Sequence, residues 1–250
     1  MIELKDVYKT LGRRPVLQGL SFHVEPGETF ILVGPSGTGK SVTLSHIIGL
    51  MNPDSGTVTV DGMEVSSLSR KELENLRLKL GMLFQGGALL NWLNIYDNVA
   101  LPLRERTRMT EEQISAKVME MLDFLELGTA AYKMPAEVSG GMVKRAGLAR
   151  AIVCNPEIML YDEPTSGLDP VMSRKIDRLI DTLKKKYRMT SVVVTHDLVS
   201  ALHIGDRIAM IADGRIIAND RPDALARTEP TEEQVAELSK IGRASCRERV

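Results

Sequence analysis

Eight consecutive residues have the composition of a loop that binds phosphate groups. They are Gly34, Pro35, Ser36, Gly37, Thr38, Gly39, Lys40 and Ser41, which match the pattern G-x-x-x-x-G-K-[ST] at every fixed position. Glycine lets consecutive N–H groups turn inward around an anion, and the helix that we expect near Lys40 adds its positive end. Lys40 is predicted to reach the β- and γ-phosphates of a nucleotide, and Ser41 to ligate Mg²⁺. The alternative is a glycine-rich turn without a ligand.

Further apolar segments end in residues that suit nucleotide hydrolysis. Asp162 closes an apolar run and is predicted to hold Mg²⁺ through its water shell. The adjacent Glu163 is free to orient or deprotonate the attacking water. His196 can hydrogen-bond the same phosphate, and Gln85 can contact the metal ion or the water. Taken alone, each is equally an ordinary polar residue at the end of a strand, but their combination with Lys40 favours a site.

These residues need a sheet whose strands end along one edge. The segments Glu3–Tyr8, Leu17–Val24 and Thr29–Val33 predict an antiparallel β layer that leads into one buried strand. After the phosphate loop, strand patterns alternate with helix patterns. Such alternation indicates a largely parallel sheet, with the polar residues gathered along its carboxyl edge.

A helical stretch interrupts this alternation. Residues 110–127 predict a helix, because Thr110 and Gln113 form a capping box and apolar residues recur on one face. The α/β pattern resumes at Ser139, whose hydroxyl can cap the next helix. We expect one domain over residues 1–240 with a helical subdomain at about 86–155. The tail 241–250 is predicted to be disordered, or an artefact of expression or of the reading frame.

Composition excludes several classes of protein. The 250 residues carry a net charge of −1, which is no electrostatic footprint for nucleic acid or an anionic membrane. Cys154 and Cys246 have no metal-binding spacing, which favours a reduced compartment. Neither a leader peptide nor an apolar run of roughly 18–20 residues is recognisable. We therefore expect a soluble chain in the cytoplasm.

The motifs, in chain order, resemble those of ABC transporter ATPase subunits over residues 2–240. They correspond to the Walker A loop (34–41), the Q-loop (Gln85), the signature (Ser139-Gly140-Gly141), the Walker B strand (Ile158–Glu163), the D-loop (Ser166–Asp169) and the H-loop (His196). The resemblance implies an α/β fold, the P-loop NTPase fold of an ABC cassette. Its RecA-like, mainly parallel core sheet carries an N-terminal antiparallel β layer and an inserted α-helical subdomain.

The resemblance also implies a site shared between two chains. In related proteins two cassettes pair head to tail, and each signature helix points its positive N-terminus at the ATP that the other chain holds. The implied ATP-binding residues are the phosphate loop, Leu11, Ser139, Gly140, Gly141 and Asp169, and the implied Mg²⁺ ligands are Ser41, Gln85 and Asp162.

Two positions depart from the family pattern. Met142 stands where the signature usually has glutamine, which removes one polar contact. Leu11 stands at the adenine-stacking position, where we expect an apolar contact rather than a stacked ring. Tyr8, three residues earlier, is predicted to pack on a strand face.

Three short segments are similar to the Mla-type, MCE-associated phospholipid transport ATPases. They are Phe84–Leu90, Asn98–Glu105 and Met134–Met142. This similarity implies a homodimer beneath a lipid permease on the cytoplasmic face of the inner membrane, with a STAS-like small subunit and an MCE-domain lipid-binding partner. The segment Leu89–Val99, with Trp92 and Tyr96, is predicted either to dock on the permease or to form the core of the helical subdomain.

Other functions remain open at this stage. An importer of amino acids or other small solutes shares the core motifs, because the permease selects the substrate. A soluble ABC protein acting on ribosomes or DNA usually has two cassettes, a long coiled coil or a basic surface, none of which this sequence shows. A phosphate-loop kinase would need an acceptor pocket and no signature.

Overall fold

The computed structural model describes residues 1–227 and 231–247. Its strands are β1 (Ile2–Leu11), β2 (Arg14–Val24), β3 (Thr29–Val33), β4 (Ser55–Val60), β5 (Met63–Glu64), β6 (Leu80–Leu83), β7 (Ile158–Asp162), β8 (Thr190–Thr195), β9 (Arg207–Ala212) and β10 (Arg215–Asp220). Its α-helices are α1 (Lys40–Ile47), α2 (Arg70–Leu78), α3 (Ile95–Arg106), α4 (Glu111–Phe124), α5 (Gly140–Ile152), α6 (Pro170–Tyr187), α7 (Leu198–Ile204), α8 (Pro222–Arg227) and α9 (Glu232–Arg247). Short 3₁₀ turns cover Val65–Ser67, Gly128–Ala130 and Pro135–Glu137.

The strands form two sheets. The first has the order β2-β1-β4-β5 and is antiparallel throughout. The second has the order β10-β9-β3-β8-β7-β6, and only the hairpin of β9 and β10 is antiparallel. This arrangement confirms the predicted antiparallel layer and the mainly parallel core sheet.

The parallel sheet is buried on both faces, which is why its strands are continuous apolar runs. Side chains alternate between faces along a strand. In β3, Phe30 and Leu32 pack with the antiparallel layer, while Ile31 and Val33 pack with the helical insertion. The sheet is thus a rigid platform, and its edge holds the loops between these two layers.

The insertion between β6 and β7 contains α3, α4 and α5. The capping box of α4 is confirmed, since Gln113 N donates to Thr110 Oγ1 at 3.3 Å and Thr110 N donates to Gln113 Oε1 at 2.9 Å. The helix ends earlier than residue 127 because Glu126 takes a left-handed backbone with φ 56°. Leu127 N then donates to Leu122 O at 2.7 Å, the backbone pattern that closes a helix C-terminus.

The segment Leu89–Val99 divides between the two predicted roles. Tyr96 and Val99 are buried, and the ring of Tyr96 stacks on Tyr132 with 5.8 Å between centroids. Those residues belong to the core of the insertion and cannot dock a partner. Trp92, in contrast, is 74% exposed.

The end of the chain is partly described. Helix α9 continues to Arg247, so it includes most of the tail 241–250. Residues 248–250 lie outside the described residues, and the predicted nature of the tail stays a prediction. Among the helices of the described ranges, none has the length and apolarity that crossing a bilayer requires.

Candidate functional site

The loops after four parallel strands meet at one edge of the sheet and surround a cleft of 390 Å³. The predicted site residues that line it are Leu11, Ser36, Gly37, Gly39, Lys40, Ser41, Gln85, Glu163 and His196. The carboxyl ends of parallel strands lie side by side, so residues as distant in sequence as Ser36 and His196 reach one cleft. Leu11 comes from the end of β1 in the antiparallel sheet.

The phosphate loop closes around its own lysine. Lys40 is the first residue of α1, and its buried ammonium donates to Gly34 O at 2.7 Å and to Pro35 O at 2.9 Å. Gly39 has φ 101°, and a Cβ there would lie 2.6 Å from Leu17 Cδ2, so only glycine fits without strain. A cation and a helix N-terminus therefore face the cleft together, which suits the phosphates of a nucleotide.

A hydroxyl and a carboxylate meet beside this lysine. Ser41 Oγ donates to Asp162 Oδ1 at 2.9 Å. Burial raises the pKa of the Asp162 carboxyl; the bond from Ser41 opposes the rise, and the nearby Glu163 adds to it. Hard oxygen donors of this kind fit Mg²⁺, and a divalent cation would offset the burial of the negative charge.

Glu163 is held from several sides. Its backbone has φ 48°, a left-handed conformation that costs roughly 1–3 kcal/mol for a residue with a side chain. Oε2 accepts from His196 N at 3.2 Å and lies 2.8 Å from His196 Nδ1, while Oε1 lies 3.4 Å from Lys40 Nζ. Burial raises the pKa of Glu163, but the hydrogen bond from His196 and the charge of Lys40 outweigh it and hold the pKa below its ordinary value. The carboxylate is thus ionised at neutral pH and able to accept a proton.

The other side of the cleft has apolar and basic residues. Leu11 is exposed at the predicted adenine position. Tyr8 does not line the cleft, and its ring lies across Gly19 of β2, which agrees with the predicted packing on a strand face. Arg14 lines the cleft, and its Nη2 lies 3.4 Å from Gly37 O, a contact that the sequence analysis missed. Its only signal was the basic pair at residues 13 and 14, and surface arginines in turns are common. Gln85 Nε2 donates to Ser166 Oγ at 3.4 Å, which joins the loop after β6 to the loop after β7.

The signature residues lie elsewhere on the chain. Ser139 caps α5 as predicted, because its Oγ accepts from Met142 N at 3.3 Å. Within the described residues, neither Ser139 nor the two glycines line the cleft at Lys40. A Cβ on Gly140 would meet open space, which suits close approach by a ligand, whereas one on Gly141 would lie 2.6 Å from Met172 Cε. Packing against α6 therefore gives Gly141 a structural reason of its own.

Asp169 is likewise outside the cleft of its own chain. Its Oδ1 accepts from Val171 N at 2.9 Å and from Met172 N at 3.0 Å, so it caps α6 at the position before Pro170. Capping explains the residue locally, and its contact with ATP stays a prediction. Within one chain, the structure brings Lys40, Glu163 and their neighbours into one cleft. Asp169 and the signature residues lie outside that cleft.

A phosphate-binding loop after one parallel strand and a carboxylate pair at the end of another define a P-loop ATPase of the cassette type. The family model for ABC transporters matches residues 17–166, and this chain belongs to that family. It is an ABC-type ATPase and binds ATP, in agreement with the resemblance found in the sequence.

Relatives with curated names are similar over nearly the whole chain. The probable ribonucleotide transport ATP-binding protein mkl of Mycobacterium leprae is 41% identical over 96% of this chain and 70% of its own length. The intermembrane phospholipid transport system ATP-binding protein MlaF of Haemophilus influenzae is 39% identical over 92% of this chain and 87% of its own length. MlaF of Escherichia coli K12 is also 39% identical, over 90% of this chain and 84% of its own length.

Solved structures agree in fold. The dimeric structure of MJ0796, a bacterial ABC transporter cassette, has a TM-score of 0.83 at 36% identity and covers 89% of this chain and 99% of its own. A dimeric post-hydrolysis state of the same cassette bound to ADP and Pi has a TM-score of 0.82 at 35% identity, with the same coverage.

A buried acid lies behind the loops that carry Glu163 and His196. Asp177, on α6, is 2% exposed and lines a cavity of 120 Å³ between the loops that follow Glu163 and His196. Its Oδ2 accepts from Ser200 Oγ at 2.9 Å, and Oδ1 has no hydrogen-bond partner among the described residues. Burial raises the pKa of Asp177 to about 6, opposed by the Ser200 bond; the charge of Asp197 adds to the rise and His203 opposes it.

This shift predicts the pH dependence of stability. Because the folded pKa of Asp177 lies above that of the unfolded chain, the native state binds this proton more tightly, and the stability that Asp177 contributes is lost as the pH rises from about 4 to about 6. Asp177→Asn is neutral in both states. We expect it to be more stable than the wild type at pH 8 by roughly 1–3 kcal/mol, with the difference shrinking towards zero at pH 4.

Urea unfolding of both proteins between pH 4 and pH 8 measures this difference. Asp181→Asn removes a carboxylate from the same helix outside the cavity and is the matched control. A difference for Asp177→Asn that is constant with pH, or that follows the control, would contradict the prediction.

Proposed function

We propose that this chain is the ATP-hydrolysing subunit of an ABC transporter that moves phospholipid between membranes through a separate permease. The observation that carries the hydrolytic part is the Glu163 carboxylate, which follows Asp162 and lies between His196 and Lys40 in the cleft. The phospholipid part is supported by the identity of 39% to two MlaF proteins over at least 90% of this chain.

The site residues receive their roles from this geometry. Lys40 and the main-chain N–H groups of the phosphate loop bind the phosphates. Ser41, Asp162 and Gln85 would hold Mg²⁺, which when bound neutralises charge on the phosphates. Glu163 orients the attacking water and takes up its proton, and His196 keeps that carboxylate in place and hydrogen-bonds the γ-phosphate.

A second copy of the chain completes the site. Ser139 is exposed at the N-terminus of α5 and lies outside the cleft of its own chain. A helix N-terminus with an open Gly140 beside it suits the phosphates of a nucleotide that another chain holds. The dimeric state of both solved relatives supports pairing of two copies.

This chain has a surface that suits docking of a permease. A cleft of 480 Å³ lies between the end of β6 and helix α3 and includes Leu50, Phe84, Leu101 and Pro102. Phe84 is 38% exposed and directly precedes Gln85 of the ATP site. A permease segment bound here would therefore act one residue away from the nucleotide. Docking of this kind would hold the chain peripherally on the cytoplasmic face of the inner membrane, and the STAS-like and MCE-domain partners belong to the same proposal.

More than one cargo is compatible with an ABC transporter ATPase of this kind. The mkl proteins are named for ribonucleotide transport, whereas the MlaF proteins are named for phospholipid transport. A small-solute importer, such as one for amino acids, is the other alternative. The cassette does not choose between them, because selection of cargo lies in the permease.

Reconstitution tests the proposal. The chain is reconstituted with a candidate permease in liposomes with Mg²⁺-ATP, and three cargoes are followed: a fluorescent phosphatidylethanolamine, a radiolabelled ribonucleotide and a radiolabelled amino acid. We expect only the phospholipid to move, and the Lys40→Ala variant to move none. ATP-dependent movement of ribonucleotide or amino acid alone would overturn the cargo while leaving the ATPase role intact.

A further inference from the structure

The helix that begins at the signature carries a buried cation that contacts the catalytic loop. Lys144 lies on α5, five residues after Ser139, and is 6% exposed. A buried ammonium is costly unless hydrogen bonds replace its water. Lys144 Nζ donates to Glu163 O at 3.2 Å, and it also donates to Ser166 O.

These two carbonyls belong to one tight turn. Ser166 N donates to Glu163 O at 3.2 Å, which closes the turn directly after the catalytic carboxylate. The turn starts from the left-handed backbone of Glu163, with φ 48°, a conformation that persists only where the surroundings hold it. Lys144 contacts the carbonyls at both ends of the turn, so it fixes the main chain from which the Glu163 side chain projects.

The next residue of the helix has a different task. Arg145 is equally buried, at 6% exposure, but its Nη1 donates to Leu125 O at 2.7 Å and to Glu126 O at 3.2 Å, at the end of α4. Two successive cationic residues of α5 therefore contact different neighbours on opposite sides of the helix. One binds the helical insertion and the other binds the catalytic turn, and their matched burial provides an internal control.

We propose that Lys144 is a positioning residue for hydrolysis, which anchors the turn at Glu163 to the helix that carries Ser139. This inference rests on the proposed roles of Glu163 and Ser139. The anchor joins parts of two different ATP sites, because Ser139 faces the nucleotide of the second copy and Glu163 faces that of its own chain. Lys144 acts through the main chain of Glu163 and does not itself contact the nucleotide.

The test measures turnover and binding separately. We expect Lys144→Met to lower kcat by roughly 10- to 100-fold at saturating ATP, while the Kd for a fluorescent ATP analogue stays within about threefold of the wild type. Lys144→Arg, which keeps the donors, should recover most of the loss. Arg145→Met should keep kcat within about threefold of the wild type.

Combination with Glu163→Gln identifies the route of the effect. If Lys144 acts through Glu163, then Lys144→Met lowers the residual turnover of Glu163→Gln by less than about twofold. Full multiplication of the two losses, wild-type kcat in Lys144→Met, or an equal loss in Arg145→Met would each overturn the inference. Wild-type turnover in Glu163→Gln alone would instead overturn the proposed hydrolytic role, so the two failures are distinguishable.

A folding defect is handled by a milder variant. If Lys144→Met loses nucleotide binding, Lys144→Gln takes its place, and the donor that the amide keeps should limit the loss of kcat to roughly three- to tenfold. Loss of nucleotide binding in both variants would overturn the inference, because it would assign Lys144 to the fold rather than to the position of Glu163.

Discussion

Replacing Glu163 with Gln should slow ATP hydrolysis by roughly 10²- to 10⁴-fold and leave an ATP-bound dimer. The amide has nearly the shape of the carboxylate but cannot accept a proton from water. The amide NH₂ can only donate, whereas both oxygens of Glu163 now face donors. Oε2 accepts from His196 N, and Oε1 lies 3.4 Å from Lys40 Nζ. Binding of ATP through the phosphate loop does not use this carboxylate, so affinity should persist.

Phosphate release under steady state measures turnover, and light scattering after size exclusion with Mg²⁺-ATP measures the dimer. Glu112→Gln, an exposed carboxylate in the first turn of α4, serves as the control and should behave as the wild type. Wild-type turnover in Glu163→Gln would remove Glu163 from the reaction. A monomer in the presence of ATP would contradict the paired site.

Replacing Ser139 with Arg should abolish hydrolysis while ATP still binds. The residue is exposed at the start of α5, outside the cleft that holds Lys40, so its own nucleotide is untouched. The long side chain would fill the open space beside Gly140. In the proposed dimer, the phosphates that the second copy holds would occupy this space. Turnover should therefore fall below one hundredth of the wild-type value. If the two copies cannot close on the nucleotide, the reacting groups are not aligned.

Equilibrium titration with a fluorescent ATP analogue and a steady-state assay separate the two effects. Ser139→Ala controls for the lost cap, which costs about 1 kcal/mol of helix stability without filling any space. It should bind ATP and keep far more activity than the Arg variant. Loss of binding in Ser139→Arg would mean that the signature contacts the nucleotide of its own chain, and full activity would mean that it contacts none.

Several site residues could be predicted because their signals are local. The phosphate loop is contiguous, and its glycines and lysine do their work within eight residues. Asp162 and Gln85 follow short apolar runs that the alternation of strands and helices places at one edge. The capping roles of Thr110 and Ser139 are likewise local, since each bonds a main-chain N–H three residues on.

Other features depended on partners far along the chain. Arg14 contacts Gly37, and Lys144 contacts Glu163. The sequence around each of these basic residues looks the same as the sequence around a solvent-exposed lysine or arginine. The reason for Gly141 was incomplete, since Met172 approaches it from another helix.

The sequence by itself therefore determined the class of this protein, its ATP chemistry and the residues of the phosphate loop, because these follow from short-range backbone geometry and side-chain chemistry. Only the tertiary structure decided which charges are buried and what each one contacts. It set Glu163 against His196 and Lys40, placed Asp177 in the wall of a small cavity, and kept Ser139 away from the cleft of its own chain. Those relations depend on the order of strands in the sheet, a long-range property that no local pattern encodes.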